Sequence, residues 1–145
     1  MLNVDFDELL NALEFVSANT IGDEEAYICQ VTGTIYWISS EVDLEPDTPE
    51  DIEISDLYIA VPHKKDLGLG QGLAMAFIDQ ELPDDYNTVA SYFRKKGAYR
   101  RFKDLLEERG QLETWYVFEN EAINKALLDW CQENSIQPTN PPVYK

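Results

Sequence analysis

The spacing of apolar residues changes at Pro62, and this change limits the fold more than any other feature of the chain. Before Pro62, the run AYICQVTGTIYWIS contains two β-rich segments separated by Thr-Gly, a pattern typical of a hairpin. A third strand is expected over residues 57–62, and after it the apolar residues recur at helical spacing. Helices are expected over residues 5–18, 71–82, 84–95, 98–109 and 113–133. The sequence therefore predicts an α+β fold, in which one helix precedes a small antiparallel three-stranded sheet and four helices follow it.

The length of the chain fits one domain, which we expect to span residues 1–145. Charge divides this domain into an acidic half, residues 1–85, and a helical half, residues 86–145. The first half has twenty acidic residues and two lysines, whereas the second has nine bases and eight acids. Because the net charge of −17 repels other polyanions, nucleic acid and anionic membranes are disfavoured as partners. A basic protein surface suits the acidic half better.

The connection between the second and third predicted strands, residues 41–56, holds eight acidic residues. Its spacing lacks the turn glycine and the final glutamate of a calcium-binding EF-hand loop. Thr48 and Pro49 instead resemble a helix start, followed by acids that complement the helix dipole. We expect a solvated acidic loop with one helical turn, too polar to pack against the core. The sequence assigns this connection no role.

Few residues of this chain suit metal binding or catalysis. Cys29 and Cys131 belong to no metal-ligand spacing, so structural thiols in a reducing compartment are expected. His63 follows a strand and should be exposed, without a catalytic partner. The acidic N-terminus lacks a secretion signal, and no apolar run is long enough to span a membrane. We therefore expect a cytoplasmic protein without metal, cofactor or catalytic residues.

Seven of the eleven basic residues lie in one segment, FRKKGAYRRFKDLLEERG, residues 93–110. Its first three cations should end the helix over residues 84–95, just before a capping Gly97, where they complement the dipole. Arg100 and Arg101 fall in the first turn of the next helix, where the dipole repels them. Each therefore needs an anion, and a carboxylate from elsewhere in the chain is favoured over a phosphate. Pairs four residues apart, Arg100 with Asp104 and Lys103 with Glu107, should add little.

This segment is also the candidate binding site for an anion or a partner. The site residues are Lys96, Gly97, Tyr99, Arg100, Arg101, Lys103, Asp104 and Trp115. Tyr92, Tyr99 or Trp115 would offer a stacking surface if the ligand carried a base, although aromatic residues at helical spacing are usually core.

At the same segment the chain resembles a known family. GAYRRFKDLL, followed by WYVFENE and ALLDWCQENSI and preceded by YIAVP and FIDQELPDD, is similar to uncharacterised protein family 0158. The resemblance covers about residues 27–137. Members of that family are small bacterial proteins, so the resemblance implies a bacterial origin but no mechanism.

Two classes of function remain open. The charge asymmetry and the missing catalytic constellation favour a non-enzymatic acidic protein-interaction module of the bacterial cytoplasm. The alternative is a protein or enzyme that binds a small phosphorylated ligand, a nucleotide or RNA through Arg100, Arg101 and Lys103. Binding through phosphate should weaken steeply as salt rises, which would separate the two classes.

Overall fold

The structure, a computed structural model, describes residues 2–18, 24–39 and 49–142. The chain forms two compact units. The first contains Met1–Leu67 and Ala126–Lys145, and the second contains Gly68–Lys125. The first unit carries eighteen acids and three bases, a net charge of −15, whereas the second carries ten acids and eight bases. The prediction that residues 1–145 form a single domain stays a prediction.

The first unit contains the predicted three-stranded antiparallel sheet. Its strands are β2 (Glu24–Cys29), β3 (Ile35–Ser39) and β4 (Tyr58–Ala60), in the order β3-β2-β4. The hairpin prediction is confirmed, because Tyr27 pairs with Tyr36 and Ile28 with Ile35. Ala26 and Ile28 are buried on the inner face of the sheet. This sheet and the helices that follow confirm the predicted α+β class.

A second, parallel sheet joins the two ends of the described chain and was not predicted. It consists of β1 (Leu2–Asp5) and β5 (Ile136–Thr139), with Leu2 opposite Ile136. The hairpin turn lies against β1. At this turn Gly33 has φ 77°, and a Cβ on Gly33 would overlap the carbonyl oxygen of Asn3. Glycine is therefore required at this turn both by its dihedral angle and by the close approach of β1.

Helix α1 (Phe6–Ser17) confirms the helix predicted over residues 5–18. The side chain of Asp5 caps it by accepting a hydrogen bond of 3.2 Å from the Glu8 N–H. Five of its apolar residues are buried, and the partly buried Phe15 packs edge-on against Trp37 of β3 at 5.2 Å between ring centroids. Helix α1 therefore covers one face of the three-stranded sheet.

The described part of the acidic connection, residues 49–56, does pack, so the prediction that it is too polar to do so is wrong there. Ile52 is 4% exposed, and the Ser55 N–H donates to the Asp51 carbonyl at 2.9 Å, as in one helical turn. The Asp51 carboxylate lies near Tyr58, whose pKa is raised first by burial and then by this charge. Thr48, the predicted capping residue, lies outside the described residues.

The second unit is helical, as predicted. It contains α2 (Gln71–Glu81), α3 (Tyr86–Tyr92), α4 (Ala98–Glu108) and the first part of α5 (Leu112–Glu133), which continues into the first unit. Its buried core consists of Ala74, Phe77, Ile78, Val89, Phe102, Leu105, Leu106 and Trp115. The core is rich in aromatic side chains. Because Phe102, Leu105 and Leu106 of α4 belong to this core, the opposite side of α4 points to solvent.

Candidate functional site

The connection from α3 to α4 differs from its prediction. The helix expected over residues 84–95 is shorter, because a 3-10 turn occupies Pro83–Asp85 and α3 ends at Tyr92. Residues 94–96 therefore lie after the helix in a turn, where the Lys95 N–H bonds to the Tyr92 carbonyl at 3.1 Å. Gly97 then takes the left-handed conformation, with φ 78°, immediately before α4. The three exposed cations of this turn gather at the start of α4.

Arg100 and Arg101 are the third and fourth residues of α4, and both are exposed. Within the described ranges neither forms an ion pair, so the expected anchor by an internal carboxylate is not found there. The predicted pair of Arg100 with Asp104, which is also exposed, is missing from these ranges too. The helix has no acidic residue in its first turn to balance the two charges. Both guanidinium groups are thus available to an external anion.

The cation of this segment that does have an anchor is Arg109, just past the end of α4. Its Nε donates to Asp85 Oδ2 at 3.1 Å and its Nη2 to Asp85 Oδ1 at 3.2 Å, a bidentate geometry. The hydrogen bond to Arg109 holds the pKa of the Asp85 carboxyl below its usual range. Among the described residues, the internal anchor is therefore found at Arg109 and not at Arg100 or Arg101, for which it was expected.

Two tyrosines lie beside the cations of α4. The Lys103 ammonium is 5.7 Å from the ring centroid of Tyr116, which α5 contributes, and this is a cation–π distance. Tyr99 is 42% exposed and packs edge-on against Phe93 at 5.2 Å. Burial, and then the charge of Glu119, raise the pKa of Tyr99. In the described part of the chain Lys103 forms no ion pair with Glu107, so its contact is aromatic and not ionic.

Trp115 cannot serve as a stacking surface in this structure, because it is 1% exposed. Its ring packs edge-on against Phe102 at 5.0 Å and Phe77 at 5.3 Å. The indole Nε1–H finds no acceptor among the described residues. Tyr92 is half-buried and packs against the same core. The exposed aromatic residues beside the cations of α4 are therefore Tyr99, which was predicted, and Tyr116, which was not.

The geometry reduces the predicted site to a smaller surface and adds one residue to it. We call this set the α4 surface; it consists of Lys96, Gly97, Tyr99, Arg100, Arg101, Lys103 and Tyr116. Tyr116 was missed because no local sequence pattern relates a residue of α4 to a residue of α5. The contact of Lys103 with a tyrosine thirteen residues later becomes visible only in the folded chain.

The two cysteines and the histidine lie outside the α4 surface. Cys29 and Cys131 are buried free thiols, and burial raises the pKa of Cys131 to about 11. His63 is half-buried, not exposed as predicted, and its Nδ1 accepts the Lys65 N–H at 3.0 Å. The described residues include no group of three or more side chains placed to hold a metal ion. No helix in the described ranges has the length and apolarity needed to cross a membrane.

Comparison with known proteins gives a family but no activity. The chain is 31% identical over 140 residues to UPF0158 protein PA5073 of Pseudomonas aeruginosa, with 94% of this chain and 86% of the relative covered. No solved structure matches the chain. The model of the uncharacterised protein family UPF0158 matches residues 1–141. The chain therefore belongs to uncharacterised protein family UPF0158.

Proposed function

We propose that this protein is a non-enzymatic binding module of the bacterial cytoplasm, and that its α4 surface binds an acidic segment of a partner protein. The observation that carries the proposal is a difference in pairing among the arginines of the basic segment, residues 93–110. Arg109 is held by a carboxylate of the same chain, whereas Arg100 and Arg101 are exposed and unpaired within the described ranges. Buried free thiols suit a reducing compartment such as the cytoplasm.

The position of the two arginines gives a physical reason for an external anion. Each lies near the positive end of α4, where a cation costs about 0.3–1 kcal/mol. No described acid forms an ion pair with either arginine to offset this cost. A carboxylate from a partner would do so, and guanidinium can hold it through two parallel hydrogen bonds. The same charges that oppose the free helix therefore favour the complex.

The aromatic residues of the α4 surface fit a protein partner. Tyrosine and arginine are enriched among the residues that dominate protein–protein binding energy. Tyr99 and Tyr116 are both at least a third exposed, and Tyr116 is held against Lys103. Because the flanking contacts already restrict these rings, binding would cost little side-chain entropy.

A phosphate-bearing ligand is the second candidate. One observation favours it: the N-terminus of α4 has no side-chain cap, so its first backbone N–H groups can donate hydrogen bonds to an anion. The net charge of −17 argues against a nucleic acid, because a chain so acidic repels a polyanion. A protein partner needs acidic residues only at the contact. We therefore rank the protein partner first.

Affinity capture from a bacterial lysate tests the proposal. The immobilised baits are the wild-type chain, the double variant Arg100→Ala/Arg101→Ala, and the double variant Lys65→Ala/Lys125→Ala. The last removes the same charge at two exposed lysines outside the α4 surface and serves as the matched control. We expect a protein captured by the wild type and the control, resistant to nuclease, and lost from the arginine variant.

Two results would reject the acidic protein partner. One is capture that all three baits share, since the α4 surface would then play no part in it. The other is capture that nuclease abolishes or that millimolar inorganic phosphate displaces, which would support the phosphate-bearing ligand instead.

A further inference from the structure

Three apolar side chains are exposed near one end of the three-stranded sheet. Ile54 is 86% exposed, Val31 is 72% exposed and Leu57 is 39% exposed. Single exposed apolar residues are common on protein surfaces, but a group of them often marks an interaction site. The group lies in the first unit and shares no residue with the α4 surface.

Backbone hydrogen bonds bring the three residues to the same end of the sheet. The Gln30 N–H donates to the Leu57 carbonyl at 2.8 Å, so Leu57 and Val31 lie at the paired ends of neighbouring strands. Ile54 precedes Leu57 by three residues in a compact turn, in which the Ser55 hydroxyl accepts the Leu57 N–H at 3.2 Å. A cavity of about 530 Å³ is lined by Val31, together with Leu2 and Ile59.

Acidic residues surround the apolar group on the side of the turn. Glu50, Asp51, Glu53 and Asp56 are all exposed, and none of them forms an ion pair with a described residue. The cavity lining contains no charged residue. We call this set the acidic–apolar surface; it consists of Val31, Ile54 and Leu57 with Glu50, Asp51, Glu53 and Asp56.

From these contacts and charges we infer that the acidic–apolar surface docks a basic amphipathic segment of a partner protein. The apolar face of the segment would cover Ile54, Leu57 and Val31, and its lysines or arginines would meet the four carboxylates. The charge of −15 on the first unit attracts such a segment over a distance and repels acidic competitors. The inference does not depend on the α4 surface.

The test uses a fluorescein-labelled peptide of lysine and leucine, in which the leucines recur at helical spacing and form one apolar face. A scrambled peptide of the same composition has no apolar face and serves as its control. We expect the amphipathic peptide to bind the full chain more tightly than the scrambled peptide, as measured by fluorescence anisotropy. Ile54→Ser should weaken binding of the amphipathic peptide about tenfold. The peptide would remove the exposed Ile54 side chain from water, and serine has little apolar area to bury in its place.

Val117→Ser is the matched control variant, because Val117 is 59% exposed but lies in the second unit. We expect it to bind the peptide as the wild type does. The double variant Glu53→Gln/Asp56→Asn should weaken binding and reduce its dependence on salt. Circular dichroism of each variant confirms that a loss of binding is not a loss of fold.

Three results would overturn the inference. Equal affinity for the two peptides would show that net charge alone drives binding. Unchanged affinity of Ile54→Ser for the amphipathic peptide would show that the peptide makes no apolar contact with Ile54. Self-association of the wild type in sedimentation equilibrium, abolished by Ile54→Ser, would make a second copy of this chain the occupant in place of a basic segment.

Discussion

Gly33→Ala should destabilise the protein more than a glycine substitution at the same backbone angle elsewhere. Gly33 has φ 77°, and Gly110, which follows α4, has φ 71°. An L-residue in this left-handed region costs about 1–2 kcal/mol at either position. The surroundings differ, because a Cβ on Gly33 would overlap the Asn3 carbonyl oxygen, whereas a Cβ on Gly110 meets nothing within 4 Å.

The difference between the two variants therefore isolates the contact of the hairpin turn with β1. Gly110→Ala should cost about 1–2 kcal/mol, the dihedral cost alone. Gly33→Ala should cost about 1–3 kcal/mol more, the usual range for forcing an extra group into a packed site. Urea unfolding followed by circular dichroism measures both values. Equal losses would show that the turn does not press on β1 and would refute this reasoning.

Two further predictions concern ionisable groups. Because Arg109 lowers the folded-state pKa of Asp85, the pair stabilises the protein above the unfolded-state pKa, about 3.9, and this stability is lost as pH falls through the folded value. Arg109→Ala should therefore lower the thermal midpoint at pH 7, with a difference from wild type that shrinks below about pH 4; a constant difference would contradict it. Burial, then the Glu25 carboxylate, raise the pKa of Tyr27 to about 12. Glu25→Gln should lower that value in a spectrophotometric titration, and an unchanged value would argue against the Tyr27 hydroxyl bond to Glu25.

Local patterns predicted most of the fold. The hairpin and α1 were found because alternation and helical spacing act over neighbouring residues. The pairing of β1 with β5 was missed because its strands lie at opposite ends of the chain, and β5 contains Pro138, which argues against a strand. The end of α3 was also missed. Arginine and lysine are compatible with a helix, so only the tertiary structure shows that the chain leaves it at Tyr92.

The candidate site was predicted less well than the fold. The sequence located the basic segment, and in the structure Phe102 and Leu106 are buried while Arg100 and Arg101 are exposed. The internal carboxylate was expected at Arg100 and Arg101, whereas among the described residues Arg109 holds one, that of Asp85. That pairing depends on how the chain brings residues 24 positions apart together, which no local pattern encodes.

The central claim is that Arg100 and Arg101 are kept for a partner and not for the fold. Thermal unfolding of Arg100→Ala/Arg101→Ala at low salt tests it most directly, with Arg109→Ala as the variant that loses a real internal pair. We expect a midpoint equal to or above that of the wild type for the double variant, because repulsion from the α4 dipole and between the two charges is relieved. A midpoint that falls below that of Arg109→Ala would show that the two arginines have an internal anchor and serve the fold.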